Sequence, residues 1–188
     1  MNTFFKVLLD TPWKVTNELL MLLIKPFVYI YLKLSGVKIG TGFKFYGFPR
    51  IYRHRNSQII IGNNFEARSW WFSNPLGINH PLILCTWQEN AKIEIGNDVG
   101  ISGGSLVASK EIKIGDRVLI GANTTIIDTD FHPLKGEDKR YSKENIKSFP
   151  VIIEDDSFIG INSTILKGVT IKKGVNIAAG EVVRHEQS

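Results

Sequence analysis

The sequence predicts an all-β solenoid of short parallel strands, entered through an apolar helical segment, and three observations predict it. Aliphatic residues return at every sixth position from Ile153 through Ile159, Ile165, Ile171 and Ile177 to Val183. Two shorter runs keep the same period, Ile95, Ile101, Val107 and Ile114, Ile120, Ile126. Glycine or a short polar residue follows several of these positions, as in "IGNDVG", "IGDRVL", "IGANTT" and "FIGINS". A strand repeats every second residue and a helix about every 3.6, so a period of six marks one short strand plus one corner. Glycine supplies the positive φ or close backbone approach that a tight corner demands. Three such units close a triangular coil of about 18 residues around the stacked aliphatics. Successive coils then pair edge to edge as parallel strands about 4.8 Å apart.

The first element is residues 1–35, an apolar and basic helical segment. Residues 1–55 hold nine Lys/Arg against Asp10 and Glu18, whereas the remainder carries 14 against 16. From Leu19 to Leu32 the chain is apolar except for Lys25 and Pro26. That run is shorter than the roughly 20 residues a bilayer core requires. It also starts too late, holds a lysine in mid-run and lacks the small-residue cleavage site of a secretory signal. Two readings stand. One is an interfacial helix, with Lys6, Lys14, Lys25 and Lys33 facing anionic headgroups while Phe, Trp, Tyr and Leu dip in, which gives peripheral membrane association. The other is a helical hairpin packed on the protein's own body or within an oligomer.

The second element is residues 36–188, the solenoid. "VKIGTGFKF" from Val37 and "IGNN" from Ile61 open its first coils, and residues 66–90 break the period as an excursion or an atypical coil. The regular period resumes and reaches Ile126, after which the next inward position would be His132. Pro133 cannot donate a ladder hydrogen bond, so the chain is expected to leave the coil through a loop at about 133–150 and to resume packing at Val151–Ile153. His132 then stands at a corner where a loop departs.

Composition excludes several classes. A single cysteine, Cys85, rules out an intramolecular disulfide and a cysteine-rich metal site and suits a reducing compartment. Four histidines without three-ligand spacing argue for no metal. The basic charge is not interleaved with exposed aromatics on a recognition module, so no nucleic acid is expected.

The hexapeptide pattern, with "DTDFHP", "SFPVIIEDDSFIG" and "LKGVTIKKGVNIAAGEVV", resembles the hexapeptide-repeat acyltransferases, and within them the maltose and galactoside O-acetyltransferase type. "GINHPLIL", "DVGISGGS" and the apolar N-terminus resemble the polysaccharide O-acetyltransferase branch. The resemblance implies a left-handed parallel β-helix, a homotrimer with the site between subunits, acetyl-CoA as donor without a metal, and a cytoplasmic enzyme that could also sit on the inner membrane face. The expected acceptor is a sugar hydroxyl of a surface polysaccharide or its lipid-linked precursor. N-acetylation of an amino sugar nucleotide and a noncatalytic β-helix scaffold stand as alternatives.

The same resemblance gives the residues their roles. A sugar hydroxyl is a poor nucleophile until its proton is being removed, a task suited to imidazole, and His132 matches the family's base. Asp130 and Glu144 are the carboxylates that could hold its second nitrogen. Phe158 in "SFIG" stands where related chains place a tryptophan against the pantetheine arm. Gly160, Ala178 and Ala179 would keep that wall thin, while Lys167 and Arg184 offer cations to the nucleotide phosphates. For the acceptor, Trp71 and His80 lie in an aromatic excursion suited to stacking on sugar rings. Ser102 opens the "SGGS" corner, whose backbone N–H groups could hold an oxyanion.

Overall fold

The computed structural model describes residues 9–133, 141–142 and 144–187, so Lys6 and the middle of the second loop lie outside the described residues. Helix α1 spans Pro12–Leu34 and opens with a proline in its first turn, where the missing N–H has no partner to lose. At 23 residues it extends well beyond the apolar run, and by length and composition it could cross a membrane, which corrects the expectation of too short a segment. One stripe of it turns inward, formed by Asn17, Met21, Val28 and Leu32. Val28 and Leu32 join Val37, Phe43 and Phe45 in the main core, so the two sequence segments share one hydrophobic interior.

The described residues after α1 wind into a left-handed parallel β-helix of three six-stranded sheets. In chain order the first coil holds β1 (Lys38–Ile39), β2 (Lys44–Tyr46) and β3 (Arg50–Arg53), and the second β4 (Gln58–Ile61), β5 (Glu66–Arg68) and β6 (Ile83–Thr86). The third holds β7 (Lys92–Ile95), β8 (Gly100–Ser102) and β9 (Ser105–Ala108), and the fourth β10 (Glu111–Ile114), β11 (Leu119–Ile120) and β12 (Thr125–Ile127). The fifth holds β13 (Val151–Ile153), β14 (Phe158–Ile159) and β15 (Thr164–Ile165), and the sixth β16 (Thr170–Ile171), β17 (Asn176–Ile177) and β18 (Val182–Val183). First strands form face A, second strands face B and third strands face C. Strands β1, β2 and β3 end their sheets; α1 packs on β1 and β2, and the Tyr31 hydroxyl accepts from the Ile51 N–H at 3.2 Å. The helix thus covers edges that would otherwise template pairing with another chain.

The register keeps like on like. Ile61 pairs with Ile95, Ile95 with Ile114, Ile114 with Ile153 and Ile153 with Ile171, so the sixth-place aliphatics stack in columns. All six from Ile153 to Val183 are buried. The run through Val107 is the exception: Leu106 and Ala108 point inward and Val107 outward. The slip arises at Gly103 and Gly104, with φ of +58° and +94°, which turn the corner one residue early.

A Cβ at Gly104 would lie 2.6 Å from the Thr124 carbonyl oxygen, whereas one at Gly174, also at positive φ, would meet open space. Gly104→Ala is therefore expected to lower unfolding free energy by about 2 kcal/mol and Gly174→Ala by only about 1, as read from denaturant melts. Equal costs would remove the steric account of the slip.

Two excursions leave the coils. The first, residues 69–82, departs between faces B and C, and the Asn79 N–H donates to Asn123 Oδ1 at 2.8 Å, tying it to the fourth coil. The second runs from residue 128 to residue 150 between faces C and A. Its arms pair antiparallel through Thr129 and Ser148, the Asp130 N–H donates to Lys147 O (3.1 Å), and the Phe149 N–H donates to Asp128 O (2.9 Å).

Exit at Asp128 rather than Pro133 corrects the sequence reading. Strand alternation carries Ile126 and then Asp128 inward, so the next interior position belongs to a fully buried aspartate and His132 lies exposed beyond it.

Candidate active site

The exit corner is built from backbone hydrogen bonds. Asp128 accepts the N–H groups of Ser109 (2.6 Å), Lys110 (2.6 Å) and Glu111 (2.8 Å), which line the same corner one coil earlier. Burial pushes its carboxyl above the ordinary range, and these three donors pull against that shift. Beyond the anchor, Ser148 Oγ donates to Thr129 Oγ1 (2.8 Å) and Lys167 Nζ reaches Asp130 Oδ1 at 2.5 Å. Phe131 then adopts φ +59°, a conformation an aromatic residue takes only when its surroundings impose it. That turn presents His132, whose N–H donates to the Asp130 carbonyl at 2.7 Å and whose ring stands edge-on to Tyr141. Beside it a cavity of about 470 Å³ opens under the loop, lined by Trp87, Lys110, Phe131 and Phe149.

Asp130, read as a support for the imidazole, pairs through Oδ1 with Lys167, read as a cation for donor phosphates. Both side chains are largely shielded, so together they brace the corner on the fifth coil. Glu144 sits exposed on the returning arm, its N–H held by Ser142 Oγ at 3.1 Å.

Face B carries a second feature, a groove of about 410 Å³ lined by Glu66, Arg68, Gly100, Ser102, Leu119 and Phe158. Phe158 and Leu119 are adjacent across the β11–β14 pairing and form its apolar floor. In a triangular coil, face B lies opposite the vertex between faces C and A. Phe158 and Ser102 are thus gathered on one side of the chain and His132 on the other.

Residues 111–127 and 150–184 match the hexapeptide repeat of succinyl-transferase. A 2,3,4,5-tetrahydropyridine-2,6-dicarboxylate N-acetyltransferase of Staphylococcus aureus strain JH9 is 54% identical over 37 residues, which is 20% of this chain and 16% of that relative. Among solved structures, a serine-to-alanine mutant of AntD, an N-acyltransferase from Bacillus cereus in complex with dTDP-4-amino-4,6-dideoxyglucose and coenzyme A, is 24% identical. It aligns over 85% of this chain and 80% of its own with a TM-score of 0.63. An aspartate-to-asparagine mutant of the same enzyme, in complex with dTDP and coenzyme A, gives 0.61 at 22% identity over 84% and 80%. These structural likenesses establish the shared fold.

The remaining site residues fall in three places. Gly160 is buried where coils stack: a Cβ there would lie 2.5 Å from the Ala179 nitrogen. Ala178 and Ala179 are exposed on the last coil, and Arg184 is exposed just after β18, at the vertex that carries His132 two coils earlier. In the first excursion Trp71 is exposed, while His80 is half-buried with Nδ1 2.8 Å from the Pro81 carbonyl oxygen.

The anchoring role of Asp128 and the placement of Arg68 escaped sequence reasoning. Asp128 had a signal, the two-residue strand period after Ile126. Arg68 had none: its guanidinium stacks on the Tyr46 ring at 4.4 Å, pairs with Glu66 at 2.8 Å and lines the face B groove.

Proposed function

We propose that this chain is an acyl-CoA-dependent acyltransferase that moves acetyl from acetyl-CoA to a sugar hydroxyl of a surface polysaccharide or its lipid-linked precursor. The observation that carries this reading is His132, exposed on a strained and braced corner while the apolar groove for a donor arm lies on the opposite face. Both must touch the reacting atoms, so the site is completed where the vertex of one copy meets face B of the next, as in a cyclic homotrimer. The reaction belongs in the cytoplasm, where acyl-CoA is made.

His132 takes the proton of the hydroxyl as its oxygen attacks the thioester carbonyl. Backbone N–H groups at a glycine corner such as Ser102–Ser105 hold the oxyanion, and collapse breaks the carbon–sulfur bond. The imidazolium then returns its proton to the leaving thiolate. Phe158 and Leu119 offer apolar surface to the pantetheine arm, and Arg184 is an exposed cation for the phosphates.

The likeness to AntD favours a second reading, N-acylation of an amino sugar nucleotide with the same base. An acceptor panel separates the two: thiol release from acetyl-CoA is expected with neutral oligosaccharides and not with amino sugar nucleotides, and the reverse pattern would replace the first reading with the second. Calorimetry with coenzyme A, paired with light scattering for a trimer, tests both. A trimer that takes up no heat of CoA binding would leave a noncatalytic scaffold.

A further inference from the structure

Helix α1 leaves a broad apolar face turned away from the β-helix. Leu19, Leu22, Leu23, Phe27, Ile30 and Leu34 are all more than half exposed, and their spacing places them on one side, opposite the buried Met21, Val28 and Leu32. A soluble surface does not present such a stripe unless something covers it.

The charges around the stripe identify the cover. Residues 19–55 carry seven Lys/Arg and no Asp or Glu. On the helix itself Lys14 and Lys33 are exposed, and Lys25 lies over the Phe43 ring at 5.0 Å. The helix's one acid, Glu18, is half-exposed and paired, accepting from the Tyr46 hydroxyl and lying 3.5 Å from Lys44 Nζ. Arg50, Arg55 and Lys38 are exposed on the adjoining first coil, so cations outnumber the two acids, exposed Asp10 and half-exposed Glu18, around the apolar stripe.

We infer that α1 docks this protein on an anionic lipid bilayer, lying flat in the headgroup region with its outward stripe in the acyl boundary. The helix is long enough to span, but its packing forbids that. Its inner stripe is part of the β-helix core, so a crossing helix would drag the basic first coil into hydrocarbon or unpack Val28 and Leu32. This inference stands independently of the acetyl-transfer reading.

The test is flotation of the full chain with vesicles of phosphatidylcholine containing about 30 mol% phosphatidylglycerol, against phosphatidylcholine alone. Binding is expected to the anionic vesicles and to be released by alkaline carbonate, as for a helix that does not span. Leu23→Gln/Phe27→Gln/Ile30→Gln alters only exposed positions and should weaken partitioning at least about 100-fold with an unchanged thermal melt. Lys14→Gln/Lys33→Gln should weaken it about 10- to 30-fold. Absence of flotation, resistance to carbonate, or a triple variant that floats like the parent would each overturn the proposal. So would a fall in lipid-free assembly mass for the triple variant, since the stripe would then be covered by a second copy.

Discussion

His132→Ala is expected to lower kcat for acetyl transfer about 10³-fold, the scale of losing a positioned general base, with a much smaller change in KM. The side chain is exposed beyond the braced corner, so its removal takes nothing from the core and the assembly mass should stay that of the parent. Turnover like the parent's would remove His132 from the role. The test bears on the oligomer as well, because variants inactive in opposite elements can complement. A mixture of His132→Ala chains with chains altered at Phe158 should regain activity on co-refolding if base and donor groove come from different copies.

The repeat was readable because each interior column draws the same residue type from every coil. The six aliphatics from Ile153 to Val183 need no tertiary information to be placed. The slip at Val107 was not readable, since the number of residues spent on a corner depends on backbone conformation at Gly103 and Gly104 rather than on hydrophobicity. The ion pair between Asp130 and Lys167 joins positions 37 apart, and only the stacking of the fourth coil on the fifth brings them together. The split between His132 and Phe158 was implicit in the period. A residue following a third strand and one on a second strand lie on different sides of a triangle, but that follows only once strands are counted by threes. The helix shows the converse. Its composition gave an apolar segment, yet an almost continuous apolar run does not say which side faces inward; that is set by where Val37, Phe43 and Phe45 leave an opening.

Asp128→Ala is expected to reduce unfolding free energy by about 3 kcal/mol or more, because it strips the acceptor from three N–H groups of one corner at once. Asp128→Asn keeps the shape and one acceptor oxygen and should cost roughly half as much, which distinguishes lost hydrogen bonds from lost volume. The pH dependence has a definite sign. Burial raises the folded carboxyl above its unfolded value near 4, so the residue contributes most in acid, and its contribution declines as pH rises through the folded value. The asparagine variant should lack that slope in denaturant melts taken from about pH 4 to pH 7. Activity should fall further than stability, since the anchor that closes this corner also fixes the strained turn at Phe131 and hence the position of His132. If Asp128→Ala melted like the parent yet lost activity, the carboxylate would belong to the chemistry rather than to the wall that supports it.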